Sequence, residues 1–252
     1  MTPPPATGEL VDMHCHVDLF PDPKALVRAV EASRVHTVAV TNAPSVFQHT
    51  EQLAKGCKYL HAAVGLHPEL VASHGHELDL MWPLLPRTRF VGEVGLDYTT
   101  SDKTIRAKQR AVFERILERC AASGDKVITV HSRRAAADVV AAIGERYSGR
   151  IILHWFTGSA RELERAVRAD LYFSVNHAML NSLNGQALVA AMPTDRVLLE
   201  SDGPFVQIDG APASPRSAAK TLNELAVLWR VEPEAARTKV LSNYVELMRS
   251  KT

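Results

Sequence analysis

The chain has 252 residues, 46% hydrophobic and 23% charged, with a net charge of +1, the balance of a globular protein with a sizeable core. That charge excludes a strongly basic tail, so a polyanion site has to be a local patch. Three cysteines, Cys15, Cys57 and Cys120, odd in number and widely separated, exclude a disulfide framework and fit a reducing cytoplasm.

Residues 1–8 are Pro-rich and carry no cationic, apolar signal pattern, and no apolar stretch approaches the ~20 residues that span a bilayer. We therefore expect a cytoplasmic protein with no membrane association. Leu10–His14 is a short apolar run, and an amphipathic helix is expected from Pro23 to Ser33, with Leu26, Val27 and Val30 at helical spacing. Further apolar runs lie at His36–Asn42, Leu60–Leu66, Phe90–Gly95, Lys126–His131, Arg150–His154, Leu171–Asn176 and Arg196–Asp202. Helix-compatible segments separate them, at Ser45–Lys55, Glu77–Leu85, Ile105–Ser123, Ala135–Tyr147 and Ala160–Ala169. Another follows Asn176, and the tail from Pro215 to Ser250 is helical again.

Continuous apolar runs suit parallel strands buried on both faces. Regular alternation of strand and helix implies right-handed crossovers. Eight such units in a chain of this length predict one α/β domain over residues 1–252, a single (β/α)8 TIM barrel. A doubly wound open sheet is the alternative, but the loop after the first strand lacks the Gly-rich fingerprint of that fold.

Polar residues fall at the strand ends. His14 and His16, one residue apart, project to the same side of an extended strand, with Cys15 facing away into the core. Strand three ends in His67, strand four holds Glu93, strand five ends in His131, strand six in His154, strand seven in Asn176 and His177, and strand eight in Asp202. In a barrel all strand C-termini open on one face. Each residue alone has a mundane reading as a strand cap or a surface group. Together, burying His14, His16, Glu93, His131, His154 and Asp202 costs free energy unless partners or metal satisfy them. Six ligand types are too many for one tetrahedral zinc; they suit two divalent ions bridged by Glu93. Paired ions of this kind activate water for hydrolysis, with Asp202 holding the attacking water and taking its proton.

Several blocks in order, Asp12-Met-His-Cys-His16, Gly65-Leu-His-Pro68, Gly92-Glu-Val-Gly-Leu-Asp-Tyr98, Val130-His-Ser-Arg133, His154-Trp-Phe-Thr-Gly158 and Glu200-Ser-Asp-Gly-Pro204, resemble the TatD-like metal-dependent deoxyribonucleases of the amidohydrolase superfamily. The resemblance covers nearly the whole chain. It implies an amidohydrolase-like barrel that hydrolyses DNA phosphodiesters, commonly from a 3′ end and on single strands. It implies two divalent ions, with Mg²⁺ in use by family members and Mn²⁺ or Zn²⁺ also suited to this histidine-rich shell. By position, His14, His16, Glu93 and Asp202 would bind one ion, with Glu93, His131 and His154 serving the second. Blocks such as Ser132-Arg-Arg-Ala-Ala136 and Ser201-Asp-Gly-Pro-Phe205 resemble the branch found in Qat anti-phage defence systems, implying protein partners in a defence complex. The chain departs from the family pattern at Thr99-Thr100-Ser101, at Glu69 and after Asn243, positions that bear on substrate preference more than on metal chemistry.

For substrate contact, Arg133 is placed to clamp the scissile phosphate, His67 stands beside the site, and Tyr98 and Trp155 are candidates to stack an unpaired base. Phe205 shares that chemistry, with core packing as the default reading for it and for Trp155. Two rival functions are weighed. Other amidohydrolase-type enzymes cutting lactones, esters or amides frequently bridge their metals with a modified lysine on strand four, where this chain has Glu93 and no lysine. A non-catalytic metal-bound scaffold fits the near-zero charge, but its ligand set would have no reason to be complete.

Overall fold

The computed structural model describes residues 8–249. The elements are β1 (Leu10–Cys15), α1 (Pro23–Ser33), β2 (Val35–Ala39), α2 (Phe47–Ala54), β3 (Leu60–Val64), α3 (Val71–His74), α4 (Leu78–Met81), β4 (Phe90–Gly95), α5 (Lys103–Ser123) and β5 (Val127–His131). They continue with α6 (Ala136–Ile143), β6 (Arg150–His154), α7 (Ala160–Arg168), β7 (Tyr172–Val175), α8 (His177–Leu180), α9 (Leu183–Ala191) and β8 (Val197–Leu199). A short hairpin, β9 (Gln207–Ile208) with β10 (Ala211–Pro212), precedes α10 (Ala218–Trp229) and α11 (Pro233–Met248). Strands β1 to β8 follow one another in sequence order in one sheet, with parallel neighbours. This is the (β/α)8 barrel fold.

The expected elements form for local reasons. In α1, the Asp22 carboxylate accepts from the Ala25 N–H at 2.9 Å, Pro23 occupies the first position, and Arg34 ends the helix at φ +53°. In α5, Asp102 caps Thr104 N–H at 2.7 Å and Gly124 closes the helix at φ +76°. A reciprocal Ser159–Glu162 capping box starts α7. Every residue of β4 is buried, as expected of a strand covered on both faces.

One expectation needs correction, and the helical tail is resolved further. The single helix over 77–85 is replaced by short turns, ending in α4 and a 3-10 turn at Leu85–Arg87. Pro83 has no N–H to give to an α-helical ladder, while the Glu77 carboxylate turns away to accept the Ser45 N–H at 2.9 Å. The tail is two helices, because Arg230 takes a left-handed φ of +57° and ends α10.

The described residues divide into two compact units, one of residues 8–39, 52–61 and 173–249, the other of 40–51 and 62–172. In the first, Cys15, Val17, Val30, Ala39 and Leu60 form a buried apolar cluster flanked by Phe20, Leu26 and Leu53. Cys15 is fully buried there with its thiol toward the Gly203 carbonyl, and burial holds it well above the usual thiol range. The second unit buries Val91, Ile128 and Ile152 from its strands and Phe113 and Ile116 from α5.

Candidate metal centre

The first unit gathers the ends of β1 and β8. Their backbones are stitched together where the strands stop: Asp202 N–H donates to the His14 carbonyl at 2.9 Å, and His16 N–H to the Gly203 carbonyl at 2.8 Å. Asp12 braces the junction from beneath. Its carboxylate accepts from Ser201 N–H at 2.9 Å, Ser201 Oγ at 2.6 Å and His14 N–H at 3.2 Å. Burial nonetheless dominates and pushes the Asp12 carboxyl up to about 7, against the lowering pull of the Ser201 and His14 bonds.

Above that brace, His14 Nε2 and His16 Nε2 lie 3.8 and 3.6 Å from Asp202 Oδ1. The two rings meet edge to face at 5.1 Å. Asp202 adopts φ +46°, a strained conformation for a residue with a Cβ, of the kind that clusters at functional sites. Beside it Glu200, fully buried, accepts from Ser174 Oγ and from Asn176 Nδ2 at 2.9 Å. Asn176 also caps α8 through Met179 N–H. His177 is drawn off to Glu224 at 2.8 Å. Phe205 is 58% exposed, with its ring edge-on to His16 at 5.0 Å; the default of core packing does not hold for it.

The second unit centres on Glu93. A single carboxylate oxygen, Glu93 Oε1, lies 2.6 Å from His131 Nδ1, 3.0 Å from His154 Nε2 and 3.3 Å from His67 Nε2. His67, expected beside the site as a substrate contact, thus stands among the donors, and ligand atoms of His67, Glu93 and His131 all fall within 4.8 Å of one another. Thr41 holds β4 at this point, its carbonyl accepting Glu93 N–H and its N–H donating to the Gly92 carbonyl, both at 3.0 Å. The packing leaves no room for side chains: a Cβ on Gly65 would lie 2.3 Å from the Glu93 nitrogen, and one on Gly95, at φ +139°, would lie 2.1 Å from the His131 carbonyl oxygen.

Sequence reasoning missed Asp97 as a working residue. Its Oδ2 lies 2.7 Å from His131 Nε2, on the side of the ring away from Glu93. The same carboxylate takes the Thr99 N–H at 2.8 Å and the Thr99 hydroxyl. Gln109 on α5 fixes the loop by accepting Asp97 N–H at 3.0 Å and donating to the Pro68 carbonyl at 3.1 Å, next to His67. Burial works against a charged His131, but Glu93 and then Asp97 outweigh it and hold the imidazole above its usual value. Burial likewise opposes the Asp97 charge, yet His131 and Thr99 hold that carboxyl well below the usual range. An imidazole oriented by a carboxylate on its far nitrogen is the arrangement that prepares histidines for metal.

The donor chemistry fits a divalent ion in both units. Three imidazoles around one carboxylate, and two imidazoles beside another, are borderline ligands suited to Zn²⁺ or Mn²⁺. A shell of oxygen donors would favour Mg²⁺ instead.

A family model described as TatD related DNase matches residues 11–249. The chain belongs to this family. It is therefore a metal-dependent hydrolase of the deoxyribonuclease type, acting on phosphodiester bonds. The chain is 26% identical over 238 residues to the uncharacterized metal-dependent hydrolase YjjV of Escherichia coli, covering 90% of this chain and 91% of that one. The crystal structure of YjjV superposes with a TM-score of 0.82 over 94% of this chain and 97% of its own. Human deoxyribonuclease TATDN3 is 30% identical over 217 residues, 77% of this chain and 78% of the relative. The 3′-5′ ssDNA/RNA exonuclease TatD of Edwardsiella piscicida is 32% identical over 186 residues, covering 70% and 69%.

The residues expected to touch substrate in this family member are variously placed. Arg133 is exposed, and its guanidinium makes no ion pair or hydrogen bond among the described residues, while its carbonyl accepts Tyr98 N–H at 3.0 Å. Tyr98 donates its hydroxyl to Asp138 at 2.8 Å, with the Arg106 guanidinium 4.8 Å from its ring. Trp155 is half-buried at φ +39°. Among the described residues no helix is long and apolar enough to cross a membrane.

Proposed function

We propose that the protein hydrolyses DNA phosphodiesters as a 3′-5′ exonuclease on single-stranded or frayed ends, using two divalent ions. The observation that carries this reading is the convergence of three imidazoles on Glu93 Oε1, a donor set with no simpler purpose than holding a cation. In a barrel the strand ends share one face. On that basis we assign His14, His16, Glu93 and Asp202 to one ion and Glu93, His131 and His154 to the other, with His67 added as a further donor. Bound ions of this kind lower the pKa of water and offset the charge that builds on a phosphoryl group.

The chain's own residues supply the rest. Asp202 orients the attacking water and takes its proton as the water oxygen closes on phosphorus. Asp97 keeps the His131 ring from turning. Arg133 neutralises the non-bridging phosphoryl oxygens, and the bond to the leaving ester oxygen breaks as that oxygen takes a proton from solvent water, leaving a hydroxyl. Trp155, and Phe205 beside His16, stack the unpaired base that a single strand presents. The relative from Edwardsiella, a 3′-5′ exonuclease by name, supports the polarity.

We infer further that the protein works in the cytoplasm, where its three free thiols stay reduced. A chain of net charge +1 has little long-range attraction for DNA. Protein partners of a defence complex would overcome this by delivering the strand.

The test uses oligonucleotides labelled at the 3′ or the 5′ end, incubated with Mg²⁺, Mn²⁺ or Zn²⁺ and with chelator. The expected result is a metal-dependent ladder shortening from the 3′ end of single strands and blocked by chelator. Hydrolysis of small lactones or esters, with every phosphodiester left intact, would overturn the nuclease reading.

A further inference from the structure

A cavity of about 300 Å³ opens in the second unit, lined by Tyr98 after β4, by Ser132, Arg134 and the first turn of α6 after β5, and by Thr157 and Glu162 after β6. Two of these residues directly follow members of the donor cluster in the chain, Tyr98 after Asp97 and Ser132 after His131. The cavity therefore adjoins the metal-binding group without including its ligands.

The state of its polar groups indicates what it takes. Both acids in the lining are already engaged. Asp138 accepts the Tyr98 hydroxyl at 2.8 Å and lies 3.8 Å from the Arg110 guanidinium, and Glu162 is bound into its own capping box. The uncommitted groups are donors. Ser132 is only 4% exposed, and its hydroxyl has no hydrogen-bond partner among the described residues, which leaves it available to a group in the cavity. Arg134 makes no ion pair or hydrogen bond among them, and it sits at φ +55°, a strained conformation for arginine. Helix α6 is preceded at its N-cap by Ala135, whose methyl offers no acceptor to the first N–H groups. A guanidinium, an unpartnered hydroxyl and an uncapped helix start together make a donor site for a tetrahedral oxyanion.

We propose that this cavity is a second phosphate subsite, seating the phosphate of the nucleic-acid strand next to the one that is cut. The proposal rests on the nuclease reading for the identity of the strand; the oxyanion chemistry rests on the cavity alone. The volume exceeds that of a phosphate group, so the attached sugar enters as well, against Tyr98. A substrate with two phosphates is held at two points and a substrate with one phosphate at one.

Two measurements test this. The first compares kcat/KM for the trinucleotide d(TpTpT), which has two phosphates, with that for d(TpT), which has one. The wild-type protein should favour d(TpTpT) by about 10- to 100-fold, the range of a charge-assisted contact. Arg134→Ala should cut that preference to within about threefold of unity, as should Arg134→Asn, a residue that tolerates the left-handed backbone. Arg134→Lys should restore part of it. Equal use of the two substrates by the wild-type protein, or an unchanged preference in both Arg134 variants, overturns the proposal.

The second measurement titrates inorganic phosphate by calorimetry with chelator present, so that no metal competes. Affinity should fall at least tenfold in Arg134→Asn and also decline in Ser132→Ala. Unchanged phosphate affinity in these variants overturns the proposal. So does phosphate binding that depends on Arg134 without any effect on the d(TpTpT) preference, which would mark a site for free anions. If neither oligonucleotide is cut, the nuclease reading fails by itself, and the titration alone decides whether the cavity binds oxyanions.

Discussion

Asp97→Asn isolates the residue that the structure adds to the centre. The substitution is nearly isosteric, so packing is retained, but the hydrogen bonding cannot be. Asp97 Oδ1 serves Thr99 and Oδ2 serves His131 Nε2 at 2.7 Å. If the new amide keeps its oxygen on Thr99, its NH2 faces His131 Nε2, and the imidazole must carry its proton on Nδ1. That is the nitrogen 2.6 Å from Glu93, the one needed as a lone-pair donor. If the amide flips, its NH2 meets the Thr99 N–H and two donors collide. Either way one charge-assisted bond is lost, worth about 1.5–3 kcal/mol, or roughly 10- to 100-fold in metal affinity, in line with the effect of removing an outer partner of a histidine ligand. Competition against a fluorescent chelator gives the affinity, and circular dichroism checks that the barrel persists. Unchanged Mn²⁺ and Zn²⁺ affinity with full activity would refute the role given to Asp97.

Two further outcomes are expected. Asp202→Asn should lower kcat by about 10²- to 10⁴-fold through loss of the proton acceptor while changing the Kd for a non-cleaved oligonucleotide far less; equal losses in both, read by single-turnover kinetics and fluorescence anisotropy, would contradict its assignment as base. His61, on β3, makes stability pH-dependent. Burial, reinforced by neighbouring His36, pushes its imidazole down to about 4, whereas the unfolded chain protonates near 6.5. Between those values the unfolded state holds the extra proton, so stability is full above about pH 7 and falls as the pH drops toward 4. The total is on the order of 3 kcal/mol for a shift of this size. Urea denaturation of chelated protein should show a shallower acid decline in His61→Gln, and identical pH slopes in the two proteins would count against the argument.

Much of the barrel is legible in the sequence because its signals are local. The boundaries of α1, β4 and β6 follow from capping residues and unbroken apolar runs, and the strand-end histidines stand out because several ligand types close successive runs together. What escaped the sequence depends on partners distant in the chain. Asp97 matters through His131, 34 residues on. Asp12 matters through Ser201, 189 residues on. Asn176 and Glu200 are 24 apart. Asp12 lies within β1 and Asn176 closes the seventh apolar run, but nothing near any of these residues in sequence marks the partner each one meets. His67 was visible as a strand-end histidine, but its approach to Glu93 depends on Gln109 holding the following Pro68 carbonyl, a tertiary contact that periodicity does not encode. Phe205 was misjudged because apolar side chains are usually buried; its exposure follows from the turn that places Asp202 at φ +46° and ties Phe205 N–H to the Asp202 carbonyl at 2.9 Å.

The central claim is that this family member works through ions assembled around Glu93. Metal content per folded chain, measured by plasma mass spectrometry on the wild-type protein and on Glu93→Ala after saturation with Mn²⁺ or Zn²⁺ and desalting, tests it most directly. Two ions per wild-type chain, with metal and nuclease activity both lost from a variant whose circular dichroism is unchanged, is the predicted result. Two ions retained by Glu93→Ala would contradict the bridging role and the account built on it.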